Sequence, residues 1–508
     1  MINPTSKTRM CRQNCSVSFS LIQSTMRQST FVLLLLLIMM SAIGTAGALR
    51  AQDRSDDYTE PYQAHALDIY QELIAFRSSA GHGEVPAVLN GLVKRFLLAG
   101  FGEEDIHLIR MPIANGEESG FLVVRYRGDG SSGLEPVLFT AHVDVVDARP
   151  EDWERSPFTL IEEDGYFFGR GASDDKFGVA QLTSTFIRLK NEGFVPNRDL
   201  IIGFTGDEES GMLTTSAMVN EYRELTDAAF ALNADAGGGI LNEENEPESF
   251  LVQTAEKTSA TFEITVTNQG GHSSTPRTDN AIYELAAALK QIENFRFPVQ
   301  VNEATRMYFQ AVGDIRGGEV GQAMKRLAED PTDEAAAEVL WNQPAEVGVT
   351  RTTCIPTMLR GGHAQNALPQ SATATVNCRI FPGVDVATIE AELKRVVANP
   401  EIDIVVLGDP KSSPASEIRD DVMTAVKAGV ERIRPGTAVV PYQAPYGTDG
   451  KQFRRAGIPT YGVMGLFMRD SDRFEHGLNE RVPVRGFFDA LEFWYVVMRE
   501  LSDPSVGS

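Results

Sequence analysis

VLFTAHVDVV, residues 137–146, is the stretch whose reading decides the fold. Val137–Thr140 is rich in β-branched and aromatic residues and reads as a short strand. His142 and Asp144 follow it at once. Two further apolar runs have the same form: Leu200–Thr205 leads into GDEESG, with Glu208 and Glu209, and Phe230–Asn233 leads into ADAGG, with Asp235. Between the first two, Phe177–Lys190 places Val179, Leu182, Phe186 and Leu189 at helical spacing, with Gly193 as a stop. Strands alternating with helices predict an α/β sheet with many parallel strands. Such sheets bind ligands at the carboxyl ends of their strands, so His142, Glu208, Glu209 and Asp235 are expected on one rim.

Asp174 in GRGASDDKFG and His476 in FEHGLNE extend the set. Imidazole and carboxylate suit zinc and its neighbours. His142, Asp174, Glu209, Asp235 and His476 are enough to hold two ions, with Asp174 bridging them through its two oxygens. Glu208 is then the base that deprotonates a metal-activated water. Each motif is weak alone. An isolated H-x-D is usually ordinary surface or core, a Glu-Glu pair is usually a solvated face, and an aspartate after a strand usually caps a helix. The weight lies in five motifs in one order, three of them at expected strand ends. There is no G-x-S-x-G elbow to suggest a serine nucleophile.

The rest of the 508-residue chain organises around that rim. Residues 1–50 carry Lys7, Arg9, Arg12, Arg27 and Arg50, no acid, and an apolar run over Phe31–Met40. Ala46-Gly47-Ala48 fits a signal-peptidase site, so this segment reads as an export signal giving a periplasmic or secreted protein. A membrane anchor through residues 31–48 is the alternative. The net charge of −24, more negative still without that segment, argues against nucleic acid as a partner. Helices are expected over Ala64–Phe76 and Val85–Leu98, and a strand over Phe121–Tyr126. Residues 51–256 then form the first part of a catalytic domain. From Lys257 the order becomes a strand at Thr261–Thr267, a helix with Ile282, Leu285, Leu289 and Ile292 on one face, mostly helical residues at 294–345, strands at Gly348–Leu359 and Ala372–Phe381, a helix at Val386–Ala398 and a strand at Ile402–Leu407. This β-α-β-β-α-β order is a ferredoxin-like plan. Residues 257–408 are read as an insertion, with the catalytic domain resuming over 409–508. Cys354 and Cys378 have their midpoint at 366, in the loop between the two expected strands. A simple hairpin would place them opposite one another as a disulfide. An easily shifted register favours two buried free thiols instead.

With these motifs in place, the chain resembles the di-zinc exopeptidase family of glutamate carboxypeptidase, carboxypeptidase S, aminoacylase and succinyl-diaminopimelate desuccinylase, over roughly residues 64–500. The resemblance implies that His142 and Asp235 complete one metal site, that Glu209 and His476 complete the other, and that the bond after the bridging Asp174 is cis. It makes Asp144 the acid that orients the His142 ring. His272 in NQGGHSSTP resembles a histidine that polarises the substrate carbonyl from the partner subunit. Asn366 in GGHAQNALPQ and Arg379 in NCRIFPG resemble residues that hold the substrate carboxylate. Gly447 and Thr448 in YGTDG lie where the family approaches substrate. Asp175, a methionine in several desuccinylase-like members, leans toward the carboxypeptidase S and dipeptidase branch. The implied protein is a homodimer through an inserted ferredoxin-like lid. It uses two Zn2+ per chain (or Co2+ or Mn2+) and acts on a peptide with a free C-terminal carboxylate or on an N-acyl amino acid.

Overall fold

In the computed structural model, which describes residues 60–503, the strands that carry the motifs lie side by side. The expected leader falls outside the described residues. A ten-stranded sheet runs in the order Ile106–Pro112, Glu118–Tyr126, Leu200–Thr205, Val137–His142, Phe230–Asn233, Thr460–Gly462, Pro247–Glu256, Gly238–Leu241 and Phe467–Arg469. Val439–Ala444 also pairs with Pro247–Glu256. The central strands at 137–142, 200–205 and 230–233 pair in parallel, so their carboxyl ends share an edge.

These strands are largely apolar because both of their faces are covered. Phe139, Ala141, Leu200, Ile202 and Phe204 pack into one core cluster. Their neighbours Leu138 and Ile201 pack into another on the opposite face. Helices Lys176–Asn191 and Val484–Glu500 cover the first face, where Trp494 meets Phe139 edge-on at 6.0 Å between ring centroids. Asp175 caps the first of these helices by accepting the Gly178 N–H at 3.1 Å.

The second sheet is antiparallel. Its order is Thr353–Gly361, Ser371–Ile380, Thr258–Thr267, Asp403–Leu407, with the fourth strand beside the first as the ferredoxin-like plan requires. Helices Ala281–Asn294 and Val386–Val397 share its core, which holds Phe262, Ile264, Leu285, Val376 and Leu393.

Four expectations change here. The helical residues after Asn294 do not join that core. Helices Glu303–Arg316, Gly318–Glu329 and Glu334–Trp341 form a separate cluster in which Phe309, Met324 and Leu327 meet Leu251 and Val440 of the large sheet. Gly348–Thr350 closes a helix, Pro344–Thr350, rather than opening a strand. Ile282, expected on the buried face of its helix, is exposed. Cys354 and Cys378 are directly opposed and joined as a disulfide, so the free-thiol expectation does not hold. The register shift lies beyond them, between Pro356 and Met358, and leaves the pair in line.

Candidate metal centre

His142 is the last residue of its strand and is buried. Its Nδ1 contacts the Asp144 carbonyl oxygen at 2.9 Å, which directs Nε2 into the site. There Nε2 lies 2.8 Å from Asp174 Oδ1 and 3.6 Å from Asp235 Oδ1. Across the site His476 Nε2 lies 3.0 Å from Asp174 Oδ2 and 2.9 Å from Glu209 Oε1. Asp174 therefore turns one oxygen to each histidine. Candidate ligand atoms of His142, Asp174 and Asp235 lie within 4.8 Å of one another, and so do those of Asp174, Glu209 and His476. A third such group is His142, Glu208 and Glu209.

Local backbone explains how residues so far apart converge. The Glu208–Glu209 turn is clamped from two sides. Asp144 accepts the N–H groups of both glutamates at 3.0 Å each, and Asp207 accepts those of Leu213 and Thr214 at 2.7 and 2.8 Å. Asp144 was expected to orient His142 through its carboxylate. That oxygen is 3.6 Å from Nδ1, so the carbonyl makes the close contact and the carboxylate anchors the Glu208–Glu209 turn. Asp175 supports His142 from below, accepting its N–H at 3.3 Å, and the Asp174–Asp175 bond is cis.

Glu480 belongs to the site although nothing in its local sequence marks it. It is fully buried and accepts the N–H groups of Gly171, Ser173 and Asp174 at 3.1, 2.7 and 3.1 Å, the Ser173 hydroxyl at 3.0 Å and Arg170 Nη1 at 2.6 Å. It thus ties the Asp174 loop to the loop that carries His476. No spacing signal marks it, since its partners lie some three hundred residues away.

The charges explain what the centre needs. Burial pushes Asp235 up to about 7. Burial also raises Glu208 well above its usual range, opposed by His142 and reinforced by Asp235, Asp449 and Glu209. Burial would raise Asp174 too, but hydrogen bonds from His142 and His476 hold it low. His476 is pushed up to about 10 by its bonds to Asp174 and Glu209. Buried carboxylates outnumber their cationic partners here. Divalent ions would supply the missing positive charge, and the N/O donor set is one they accept.

A cavity of about 330 Å³ opens on these groups and is also lined by Tyr446, Gly447 and Thr448. Thr448 is held by Glu256, which accepts its hydroxyl at 3.0 Å and pairs with Arg454 at 2.6 Å. Asp449 accepts the hydroxyls of Thr205 and Thr215, fastening that turn to the large sheet. His272, Asn366 and Arg379 do not line the cavity. His272 and Asn366 are exposed neighbours, the His272–Ala367 pair sitting beside a Ser273 N–H bond to the Asn366 carbonyl. Arg379 lies in the second sheet, opposite Thr353 and Ser259.

Residues 138–500 match Peptidase family M20/M25/M40. The chain belongs to that family. As an M20 peptidase it is a metal-dependent hydrolase of C–N amide bonds, and the exopeptidase reading of its motifs is the one the family supports. It is 29% identical over 380 residues to the N-fatty-acyl-amino acid synthase/hydrolase PM20D1 of Xenopus tropicalis, spanning 73% of each chain. It is 27% identical over 388 residues to the probable carboxypeptidase S-like 2 of Dictyostelium discoideum, spanning 74% of each. A solved M20 metallo-carboxypeptidase from Sulfolobus solfataricus shares the fold, with a TM-score of 0.64 at 18% identity, covering 86% of this chain and 99% of that one.

Proposed function

We propose that this M20 peptidase removes a residue bearing a free carboxylate from a peptide or dipeptide. The carrying observation is the sharing of Asp174 between His142 and His476, with Glu208 in the same cavity. His142, Asp174 and Asp235 would hold one Zn2+, and Asp174, Glu209 and His476 would hold the other. Co2+ and Mn2+ fit the same donors. Two such ions supply a water of lowered pKa and a polarised scissile carbonyl. Glu208 takes the water's proton and returns it to the departing nitrogen, which makes the leaving group a neutral amine. Thr448 and the Gly447 backbone form the wall beside which the substrate chain lies. Hydrolysis of N-acyl amino acids is the second reading. It is favoured by the PM20D1 resemblance and uses the same groups on a different acyl chain. A panel of dipeptides and N-acyl amino acids, given to metal-stripped and zinc-restored protein, separates them. Turnover is expected only after restoration and only on members with a free carboxylate. No turnover on any of them would refute both readings.

We further propose a homodimer through the second sheet, after export to an oxidising compartment, where the Cys354–Cys378 bond is stable. The edge strand Thr353–Gly361 exposes Ile355, Met358 and Leu359, at 61–65%, and an unpaired apolar edge invites a second copy. His272 then serves the partner's site, with Asn366 and Arg379 beside the substrate carboxylate. Mixing His272→Ala with Glu208→Gln chains builds one intact composite site per heterodimer. Activity is expected to return on subunit exchange; exchange without activity would exclude the arrangement.

A further inference from the structure

The cavity over the metal centre is lined by five carboxylates, those of Asp174, Glu208, Glu209, Asp235 and Glu475. Two divalent ions offset four of those charges. A substrate carboxylate would still meet a net negative wall if nothing else were present. One further cation lines the cavity, Arg473, and no lysine or other arginine does so among the described residues.

Arg473 is placed and free enough to receive an anion. It follows a 3-10 turn, Asp470–Asp472, in which Asp472 is gripped by Arg469 Nε at 2.7 Å, Arg481 Nη2 at 2.8 Å and the Tyr166 hydroxyl at 3.0 Å. Those contacts commit the neighbouring arginines and fix the backbone that carries Arg473. Its own side chain is held only loosely, with Nε 3.3 Å from Asp470 Oδ1 and Nη1 3.7 Å from Glu475 Oε1. Nη2 has no hydrogen-bond partner among the described residues. The side chain is 32% exposed. A guanidinium edge with vacant donors suits the planar geometry of a carboxylate.

Resting on the amide-hydrolase reading above, we propose that Arg473 anchors the free carboxylate of the substrate within the same chain that holds the metals. It is a specificity-determining residue. Arg473 lines the cavity itself, whereas Arg379 lies in the second sheet and does not line it. The two arginines have separate parts: Arg473 acts from within the cavity, and Arg379 only where a second sheet is brought over it.

The test uses binding rather than turnover. Zinc-loaded Glu208→Gln protein is titrated calorimetrically with N-acetyl-L-leucine and with N-acetyl-L-leucinamide, in which the terminal carboxylate is replaced by a neutral amide of the same shape. The acid is expected to bind about tenfold more tightly or better, the size of one or two charge-assisted hydrogen bonds. Adding Arg473→Ala should bring the two within about threefold by weakening the acid and leaving the amide unchanged. Arg473→Lys should restore part of the preference. A preference that survives Arg473→Ala, or that is absent from the start, overturns the proposal. Should Arg473→Ala fail to take up zinc, Arg473→Gln preserves the length of the side chain and answers the same question. Failure of the hydrolase reading is seen elsewhere: the acid preference would be present while wild-type protein turned over no member of the substrate panel.

Discussion

Glu208→Gln is expected to lower kcat by about 10²–10⁴-fold while leaving the fold and the zinc content unchanged. The amide keeps the size of the side chain but cannot accept the proton of the attacking water. Its position is secure, because the turn that carries it is fixed by the Asp144 carboxylate through the N–H groups of both glutamates. Metal analysis makes the result decisive. Glu208 also lies within ligand distance of His142 and Glu209, so a ligand role is a real competitor. Two ions retained with turnover lost identify a base. Loss of one ion identifies a ligand. A variant that keeps more than about a tenth of the wild-type kcat would exclude the base assignment, since such groups contribute at least 10²-fold.

Glu480→Gln is expected to weaken zinc binding by about 10–100-fold, although Glu480 touches no candidate ligand atom. Its two oxygens accept five hydrogen bonds from Arg170 and from residues 171–174. An amide turns one acceptor into a donor that faces those N–H groups and leaves the buried Arg170 guanidinium poorly compensated. The Asp174 loop then loses the contact that aims its carboxylate between His142 and His476. Zinc competition against a chelator of known affinity measures the effect. Some stability is lost as well, so a control is needed. Leu393→Ala, in the core of the second sheet, should cost about 2–5 kcal/mol and leave zinc affinity as it was. Wild-type affinity in Glu480→Gln would show that the residue supports the loop without directing its carboxylate.

Parts of this architecture could be read directly. Leu200–Thr205, Phe230–Asn233 and Val85–Leu98 are legible to the residue, because continuous apolar runs or a clear helical period end at polar or glycine stops. His142, Glu209 and Asp235 followed from where those strands stop. Other strands left no such trace. Thr460–Gly462 and Gly238–Leu241 are too short to show a period, and Pro247–Glu256 mixes Glu, Ser, Gln and Thr into a run that is buried by its neighbours. Arg473 stands in RDSDRFE, where alternating charge looks like an ordinary solvated loop.

The amino-acid sequence by itself determined that an α/β sheet presents one histidine and three acids, His142, Glu208, Glu209 and Asp235, at the ends of its strands, and that a ferredoxin-like order of elements follows. Those are matters of local period and residue chemistry. Only the tertiary structure decided which oxygen of Asp174 faces which histidine, that the helices after Asn294 pack on the large sheet, and that Arg473 rather than Arg379 shares the metal cavity. An amphipathic face shows that a helix must be buried, not against what. A charged side chain shows that it needs a partner, not which one. Both answers depend on contacts between residues hundreds of positions apart, and those exist only once the chain has closed on itself.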